Sequence, residues 1–183
     1  ILSKSLSVTP GYYKLPEKSE ELLEGGWLHS GDAGYIDENG HLIVIDRLSD
    51  VMHNMEGEMF SPMFLENKLK FSPYIKEAVI FGNKREYVSA LINIDPVIMG
   101  KWAEDQGISF STYMDLSSKP EVQNLIKNEI LSVNSNVEKE HFKIKRFANL
   151  YKLLDTDDGE LTRTGKIRRK FVMEKYQNLY EGL

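Results

Sequence analysis

The chain has 183 residues, of which 41% are apolar and 28% are charged, and a formal net charge of −5. This composition is that of a globular protein of one domain, or one domain plus part of another, and it excludes collagen-like, coiled-coil and disordered chains. No apolar run approaches the roughly 18 residues of a membrane-spanning helix, and the absence of cysteine excludes disulfides, thiolate metal sites and a cysteine nucleophile.

The first part of the chain predicts a short helix followed by a β-hairpin. The sequence starts at Ile1 with neither an initiator methionine nor a signal-peptide pattern, and we expect the chain to be cut from a longer protein. Residues 16–24 are acidic and begin with proline, which is typical of a helix N-terminus. An Asn-Gly pair then separates residues 34–36 from residues 41–45, and it predicts a tight turn between two strands.

After residue 47 the pattern changes to helices that alternate with buried strands. Ser61 and Pro62 predict a helix start, and the helix is expected to run to about residue 71 with Phe64, Leu65 and Leu69 on one side. The other predicted elements are strands over 78–81 and 87–94, helices over 95–107 and 120–138, a strand over 147–154 and a helix over 167–180. This set predicts an α+β domain over residues 48–183, in which helices flank a small mixed sheet, preceded by a β-hairpin tail over residues 1–47.

Three residues near predicted turns suit nucleotide or coenzyme binding. Asp32 lies beside glycine, where its carboxylate can either accept two hydrogen bonds from a ribose diol or cap a turn. Arg47 ends the second strand of the hairpin, and its guanidinium suits ribose or phosphate oxygens as well as a surface ion pair. Gly57 either lets the backbone approach a ligand closely or makes a simple connecting turn.

Four methionines between positions 52 and 63 recur at a spacing of three or four residues. Gly57 and Pro62 interrupt any helix that would line them up. We therefore interpret the four side chains as filling of the hydrophobic core: Met52, Met55, Met59 and Met63.

Residues 163–170 form the most basic segment, with five cations among eight residues. Gly165-Lys166 ahead of a helix can place an ammonium on a phosphate undergoing substitution, where charge develops on the non-bridging oxygens. The same composition also suits a solvated helix start or a surface that binds nucleic acid. The segment is not a Walker phosphate loop, because the chain has no Gly-x-x-x-x-Gly-Lys-Ser/Thr motif. Residues 119–183 carry 13 basic and 10 acidic side chains against 10 and 18 before them, which favours a local anion site over a general nucleic-acid surface.

The remaining candidates for catalysis are few. The four histidines are scattered, and no group of His and carboxylates has the spacing of a metal site. A Gly-x-Ser-x-Gly motif is also absent. The sequence therefore predicts neither a protein-built metal centre nor a Ser-His-Asp triad.

The order of these motifs resembles the adenylate-forming superfamily along nearly the whole chain. The matching segments are Gly-Tyr-Tyr-Lys-Leu-Pro-Glu at 11–17, Gly-Trp-Leu-His-Ser-Gly-Asp at 26–32, Asp-Glu-Asn-Gly-His-Leu at 37–42, Asp-Arg-Leu-Ser-Asp at 46–50, Gly-Glu at 57–58 and Thr-Gly-Lys at 164–166. Within the superfamily, residues 46–51 and residues 58–73 are most similar to long-chain fatty acyl-CoA synthetases.

The resemblance implies a two-step reaction that uses ATP, Mg²⁺ and coenzyme A. A fatty acid carboxylate attacks the α-phosphate of ATP, which gives acyl-adenylate and pyrophosphate, and coenzyme A then displaces AMP to form the thioester. It also implies a large N-terminal domain that holds most of both sites and the Mg²⁺ ligands. Residues 1–47 would be the end of that domain, and residues 48–183 would be a mobile lid that rotates between the two steps.

By the same resemblance, Lys166 is the catalytic residue that bridges the reacting carboxylate and the α-phosphate. Asp32 and Arg47 are expected to bind the ribose, and Gly57 to line the pantetheine path. The hinge is expected at Leu48, Ser49 and Asp50.

Two positions depart from the superfamily pattern. Ser49 stands at the hinge, where Asp or Lys is common, although a hinge needs only to absorb backbone rotation. Glu56 stands where the loop before Gly57 usually has a second glycine, and this narrows the pantetheine approach.

The resemblance also implies what surrounds the chain. The phosphate loop and acyl pocket of the superfamily are missing from these residues, so we expect the 183-residue chain alone to be inactive. Its expected partners are its own N-terminal domain, ATP or AMP, coenzyme A and a fatty acid, with no nucleic acid. The expected location is the cytoplasm, with peripheral association at a membrane.

In isolation, the apolar side of the hairpin (Trp27, Leu42 and Val44) requires a dimer or a crystal contact to cover it, or is disordered.

Two alternative functions stay open on the sequence. The first is an adenylate-forming ligase for an aryl or amino acid, since acyl selectivity resides in the absent domain. The second is a non-enzymatic module that binds nucleic acid or another anion through residues 163–170.

Overall fold

The computed structural model describes all residues, 1–183. They form two compact units, residues 1–51 and residues 52–183. None of the helices is both long enough and apolar enough to span a membrane.

The first unit contains one short helix and two antiparallel strand pairs. Its elements are β1 Leu2–Ser3, α1 Pro16–Leu22, a 3-10 turn Glu24–Gly26, β2 Leu28–His29, β3 Asp32–Ile36 and β4 Leu42–Arg47. Strand β1 pairs with β2, and β3 pairs with β4. The acidic helix and the hairpin predicted from the sequence are therefore both present.

The β3–β4 hairpin is fixed by its turn and by one glycine. Asp37 Oδ1 accepts hydrogen bonds from two backbone N–H groups of the turn, at 2.9 and 2.8 Å, and Gly40 has a φ of +81°. Gly34 lies at a β-bulge, where an added Cβ would come within 2.5 Å of the Ile43 carbonyl oxygen. A larger residue at this bulge would push the two strands apart.

The hairpin leaves many large apolar side chains in solvent. Those exposed between residues 27 and 44 are Trp27, Tyr35, Ile36, Leu42, Ile43 and Val44. This unit has only two buried residues, Ala33 and Asp46, so it lacks a core of its own. What covers the apolar side stays a prediction.

The second unit is built from seven helical segments and five strands. They are β5 Met52–His53, β6 Met59–Phe60, α2 Pro62–Leu69, β7 Ile75–Phe81, β8 Val88–Ile94, α3 Pro96–Asp105, α4 Tyr113–Ser118, α5 Pro120–Asn134, a 3-10 turn Glu140–Phe142, β9 Ile144–Asn149, α6 Arg169–Lys175 and α7 Gln177–Glu181.

A three-stranded sheet forms the centre of the second unit. Strand β8 lies between β7, which is antiparallel to it, and β9, which is parallel to it. All seven residues of β8 are buried, as expected for a central strand covered on both faces. One face packs against α2, α3 and α5, and the other packs against α6 through Val172 and Tyr176. The predicted α+β class and the mixed sheet are confirmed.

Side-chain caps explain where helices α2 and α3 begin. Ser61 Oγ accepts from the Phe64 N–H at 3.1 Å at the start of α2, and Asp95 Oδ1 accepts from two N–H groups at the start of α3. Each cap satisfies backbone donors that have no partner inside the helix, and each is followed by proline at the first helical position. These two starts were predictable for that reason.

Several boundaries differ from the sequence prediction. Helix α5 ends at Asn134, because the Asn134 amide turns to bond the backbone N–H and C=O of Ile144, both at 2.9 Å. Strand β9 consequently starts at Ile144 instead of at residue 147 and ends at Asn149. Helix α4 was not predicted, and the last helix is interrupted at Tyr176.

The prediction that all four methionines fill the core is wrong. Met52 is buried at 5% exposure, whereas Met55, Met59 and Met63 are 71%, 47% and 42% exposed. The reason is local: Met55 lies in the loop between β5 and β6, Met59 is the exposed residue of β6, and Met63 lies on the outer side of α2. Phe64 is also exposed on α2, while Leu65 and Leu69 are buried as predicted.

Candidate functional site

Lys166 lies directly after the tip of a tight, internally bonded loop between residues 161 and 167. Leu161 and Ile167 form an antiparallel bridge, and the Thr162 N–H donates to the Lys166 carbonyl at 2.7 Å. The Lys166 N–H donates back to Thr162 Oγ1 at 3.0 Å, and Gly165 has a φ of +76°, which favours glycine. The backbone of Lys166 is therefore held on both sides.

The ammonium of Lys166 is free for a ligand. The residue is exposed, and its Nζ forms no ion pair or hydrogen bond within the chain. A mobile side chain on an ordered backbone can present one positive charge to an anionic group. This is the arrangement that the catalytic assignment of Lys166 requires.

The other cations of the basic segment divide into two groups. Arg168 donates to the Gly159 carbonyl at 3.0 Å, and Arg169 forms a two-pronged ion pair with Glu66 of helix α2. Arg163 and Lys170 are exposed and, like Lys166, make no ion pair. Two of the five cations are thus used inside the fold, which weakens the interpretation of the segment as a nucleic-acid surface.

A buried carboxylate anchors the base of the Lys166 loop. Glu160 is 0% exposed, and its backbone carbonyl accepts from the Arg168 N–H at 2.8 Å. Its carboxylate is surrounded by Lys152, Lys175 and the Tyr176 hydroxyl. Sequence reasoning missed Glu160, because nothing in the acidic turn that precedes it tells which carboxylate will be buried.

Glu66 was also missed, although its position carried a signal. Pro62, Leu65, Glu66 and Leu69 form the buried side of α2 at helical spacing. A charged residue on such a face indicates a buried partner, and that partner is Arg169.

Asp32 and Arg47 are brought together in the first unit. They are paired opposite each other at the open end of the β3–β4 hairpin, and Arg47 Nη1 lies 3.2 Å from Asp32 Oδ1. Arg47 Nη1 also donates to the Ser30 carbonyl at 3.1 Å. Both side chains are partly exposed, so the pair can exchange its internal contact for hydroxyl groups of a ligand.

Residues 48–50 form an exposed turn directly after this pair. The N–H groups of Asp50 and Val51 both donate to the Arg47 carbonyl, at 2.9 and 3.1 Å. Ser49 Oγ donates to Asp50 Oδ1 at 3.2 Å, and Leu48 is largely exposed. The boundary between the two compact units follows at residue 51.

Gly57 lies in the loop between β5 and β6, in a conformation that requires glycine. Its φ is +79°, and an added Cβ would meet no atom within 4 Å, so the constraint is backbone strain and not space. Asn54 organises the loop, because its Oδ1 accepts from the N–H groups of Glu56 and Glu58 at 3.0 and 2.8 Å. The loop is thus ordered while Gly57 itself is exposed.

One group of side chains has the composition of a metal site, namely Glu56, Glu58 and His141. Glu58 is already paired with Lys139 at 2.9 Å and with His141. The hydrogen bond from Lys139 holds the pKa of the Glu58 carboxyl below its usual value. A carboxylate whose charge is already balanced by a lysine makes a poor metal ligand, and Glu58 is better explained as the partner of Lys139 and His141.

Comparison with known proteins gives a consistent result. The family model described as "AMP-binding enzyme C-terminal domain" matches residues 49–183. The chain is 30% identical over 177 residues to the long-chain-fatty-acid–CoA ligase FadD15 of Mycobacterium tuberculosis, across 96% of this chain and 29% of that protein. It is 28% identical over 221 residues to the long-chain-fatty-acid–CoA ligase heimdall of Drosophila melanogaster, across 100% of this chain and 32% of that protein.

Among solved structures, the fold is similar to the adenylation domain of a carboxylate reductase from Mycobacterium chelonae. The TM-score is 0.76 at 24% identity, and the match covers 98% of this chain and 26% of the other. At this identity the likeness establishes the fold alone. The chain spans only about 30% of the length of the curated relatives named above.

Proposed function

The chain belongs to the family of AMP-binding enzyme C-terminal domains, and we propose that it is the C-terminal part of an ATP-dependent long-chain fatty acyl-CoA synthetase. The curated relatives that it matches along almost its whole length are named as long-chain-fatty-acid–CoA ligases. Residues 1–47 are then the end of the large adenylation domain, and residues 48–183 are the mobile C-terminal domain.

The observation that carries the proposal is the free ammonium of Lys166 on a tight loop whose backbone is held by hydrogen bonds. In the first step, a carboxylate oxygen of the fatty acid forms a bond to the α-phosphorus as the bond to pyrophosphate breaks. Negative charge grows on the non-bridging oxygens, and a positioned cation stabilises it more in the transition state than in the bound ATP. Lys166 supplies that cation and also holds the attacking carboxylate.

The remaining assigned residues bind and orient. Asp32 accepts hydrogen bonds from the ribose hydroxyls, and Arg47 beside it donates to ribose or phosphate oxygens. In the second step the thiolate of coenzyme A attacks the acyl carbonyl carbon, and AMP leaves. Gly57 lines the pantetheine path, and the turn at Leu48, Ser49 and Asp50 is the hinge between the two orientations.

The Mg²⁺ that accompanies ATP is expected to be held by the large domain, together with the phosphate loop and the acyl pocket, and no residue of this chain is assigned to it. The 183-residue chain by itself is expected to form neither adenylate nor thioester.

The apolar side of the hairpin is expected to contact the large domain of the complete enzyme. The first unit has no core of its own, and the exposed residues on this side include Ile36, Leu42 and Val44. In the isolated chain this surface favours a dimer. A cytoplasmic location with peripheral association at a membrane fits an enzyme whose substrate is a fatty acid.

The two alternatives have less support. An aryl or amino acid ligase has the same C-terminal fold, but the curated relatives of this chain are named for long-chain fatty acids. A nucleic-acid module needs the cations of residues 163–170 on its surface, whereas Arg168 and Arg169 are committed to internal contacts.

Substitution of Lys166 in the complete enzyme tests the proposal. Lys166→Ala should slow acyl-adenylate formation, measured by ATP–pyrophosphate exchange with a long-chain fatty acid, by about 100- to 1000-fold. Thioester formation from supplied acyl-adenylate should keep its rate, because the second step does not use this cation. Lys170→Ala removes an exposed, unpaired cation of the same segment and should change neither rate. Equal loss of both half-reactions in Lys166→Ala would refute the role given to Lys166.

A further inference from the structure

Glu160 is a fully buried carboxylate in which both oxygens are saturated. Oε1 accepts from Lys175 Nζ at 2.9 Å and from the Tyr176 hydroxyl at 2.7 Å. Oε2 accepts from Lys152 Nζ at 2.9 Å and from the Asp155 backbone N–H at 2.8 Å. Four donors from two segments, residues 152–155 and residues 175–176, therefore converge on one carboxylate.

The cluster is built to keep this carboxylate charged. Burial by itself raises the pKa of the Glu160 carboxyl, but the hydrogen bonds from Lys152, Lys175 and Tyr176 outweigh burial, and the pKa lies below its usual value. Burial likewise lowers the pKa of Lys152, yet its bonds to Asp158 and Glu160 raise that pKa overall to about 12. A buried ion is retained only with such partners, since an unpaired one costs several kcal/mol.

The backbone of Glu160 closes the base of the loop that carries Lys166. Its N–H donates to the Asp155 carbonyl at 3.0 Å, and its carbonyl accepts from the Arg168 N–H at 2.8 Å. The bridge between Leu161 and Ile167 continues this pairing toward the tip. The side chain of Glu160 thus joins the loop to α6 through Lys175 and Tyr176, and to the segment after β9 through Lys152.

We propose that Glu160 is a positioning residue for Lys166, which fixes the loop so that the ammonium meets the reacting phosphate in a set place. This inference rests on the proposed function, because it assigns a second residue to the same half-reaction. Displacement of a catalytic group by about 1 Å can cost about 100-fold in rate, so the anchor matters even though Glu160 never touches the substrate.

The test compares Glu160→Gln with Glu174→Gln in the complete enzyme. Glutamine keeps the size of the side chain but replaces one carboxylate oxygen by an NH₂ group. That group cannot accept hydrogen bonds and faces donors, so the hydrogen bonds on that side of the cluster are lost. Glu174 lies on helix α6, which also carries Lys175, and it is exposed and makes no ion pair. Its variant therefore controls for the loss of one negative charge. Circular dichroism first establishes that each variant is folded.

Two measurements are made on the folded variants. Acyl-adenylate formation in Glu160→Gln should fall by about 100-fold, with thioester formation from supplied acyl-adenylate unchanged. Hydrogen exchange of the backbone N–H groups of residues 162, 165, 166 and 168 should be about tenfold faster than in the parent, because their bonded loop opens more often. Glu174→Gln should match the parent in both measurements.

The outcomes separate this inference from the proposed function. If Lys166→Ala leaves acyl-adenylate formation intact, the proposed function fails and the inference fails with it. If Lys166→Ala abolishes that step but Glu160→Gln does not slow it, only the inference fails. Equal loss of both half-reactions, or unchanged hydrogen exchange in residues 162–168, would reduce Glu160 to a structural residue.

A milder variant keeps the test decisive if Glu160→Gln does not fold. Tyr176→Phe removes only the hydroxyl that donates to Glu160 Oε1 and keeps the ring in the core. It should slow acyl-adenylate formation selectively and by a smaller factor, with faster exchange in residues 162–168. Parent-like rates and exchange in this variant would overturn the inference.

Discussion

Asp32 and Arg47, the two residues proposed to bind the ribose, form an ion pair with each other in the free chain. The pair spans the open end of the hairpin at 3.2 Å, with one side chain 31% and the other 63% exposed. An ion pair of this exposure contributes at most about 1 kcal/mol to stability. The free-energy cost of opening it for a ribose is therefore small.

The ribose assignment of Asp32 predicts a selective defect. In the complete enzyme, Asp32→Ala should raise the KM for ATP by about 10- to 100-fold, since hydrogen bonds to a charged group contribute about 1.5–3 kcal/mol each. The KM for coenzyme A should change much less, because the ribose contact belongs to the adenylate site. Steady-state kinetics with each substrate varied in turn measures both constants.

A control for Asp32→Ala lies in the same hairpin. Glu38 is exposed in the turn and makes no ion pair, so Glu38→Ala removes one negative charge without touching the proposed site. It should leave both constants unchanged. An unchanged KM for ATP in Asp32→Ala would remove Asp32 from the ribose site.

Among the structural elements, the edge of the central sheet depends on one ion pair. Strand β7 is an edge strand, and the N–H and C=O of Ile80 point away from β8. Glu66 accepts from that N–H at 2.8 Å, and Arg169 donates to that C=O at 3.0 Å. The pair therefore supplies the hydrogen bonds to Ile80 that a neighbouring strand would otherwise make. It also joins α2 to α6.

Loss of Arg169 should destabilise the second unit strongly. Arg169→Met leaves the buried Glu66 carboxylate and the Ile80 carbonyl without their partner, which should cost about 3–5 kcal/mol. Urea unfolding of the 183-residue chain, followed by circular dichroism, measures this cost. The double variant Glu66→Leu/Arg169→Met should recover a large part of it, because no charge then stays buried.

Exposed Lys170 provides the matched control, and Lys170→Met should change stability by no more than about 0.5 kcal/mol. A loss in Arg169→Met as small as that in Lys170→Met would mean that the Glu66–Arg169 pair does not hold the sheet edge.

The anchor of the Lys166 loop also predicts how stability depends on pH. The Glu160 carboxyl has a pKa below its usual value of 4.5 in the folded chain. The unfolded chain therefore binds a proton more readily, and stability is lost as the pH falls from about 4.5 through the lowered pKa. Glu160→Gln lacks this group and should lose less stability over the same range, measured as the free energy of unfolding at successive pH values. An identical acid limb in the variant and the parent would contradict the lowered pKa.

The sequence could predict those elements whose boundaries are set by neighbouring residues in the chain. The starts of α2 and α3 carry their own caps at Ser61 and Asp95, and the Asn-Gly turn specifies the hairpin. The start of β9 is set instead by the amide of Asn134, ten residues earlier in the chain. Tertiary contacts of that kind have no signature in a single segment.

The same distinction applies to the candidate site. Lys166 was predictable, because a Gly-Lys step in a basic segment and the family resemblance are features of adjacent residues. Glu160 was not, since its burial results from Lys152, Lys175 and Tyr176 folding around it. Which cations of the basic segment are internal likewise depends on a distant residue, because Arg169 is paired with Glu66 of α2.

At the scale of the whole molecule, the turn at residues 48–50, which is proposed as the hinge, lies directly before the boundary between the two compact units. The turn holds few contacts: the Leu48 N–H donates to the Gly31 carbonyl, the Asp50 N–H donates to the Arg47 carbonyl, and the side chains of residues 48–50 are exposed. A hinge needs freedom to change φ and ψ, and serine at position 49 keeps that freedom. The departure from the Asp or Lys common at this position is therefore compatible with rotation.

Restriction of the backbone at Ser49 tests the hinge directly. Ser49→Pro fixes φ near about −65° and also limits Leu48, so the complete enzyme should be confined to fewer domain orientations. Overall acyl-CoA formation should then fall by about tenfold or more, while at least one half-reaction, assayed separately, keeps its parental rate. Ser49→Ala removes the hydroxyl but leaves the backbone free, and it should behave like the parent. Proline fixes φ at position 49 and so prevents rotation there. If Ser49→Pro nevertheless keeps the parental rate of acyl-CoA formation, the domains must rotate about other residues, and Ser49 is not the hinge.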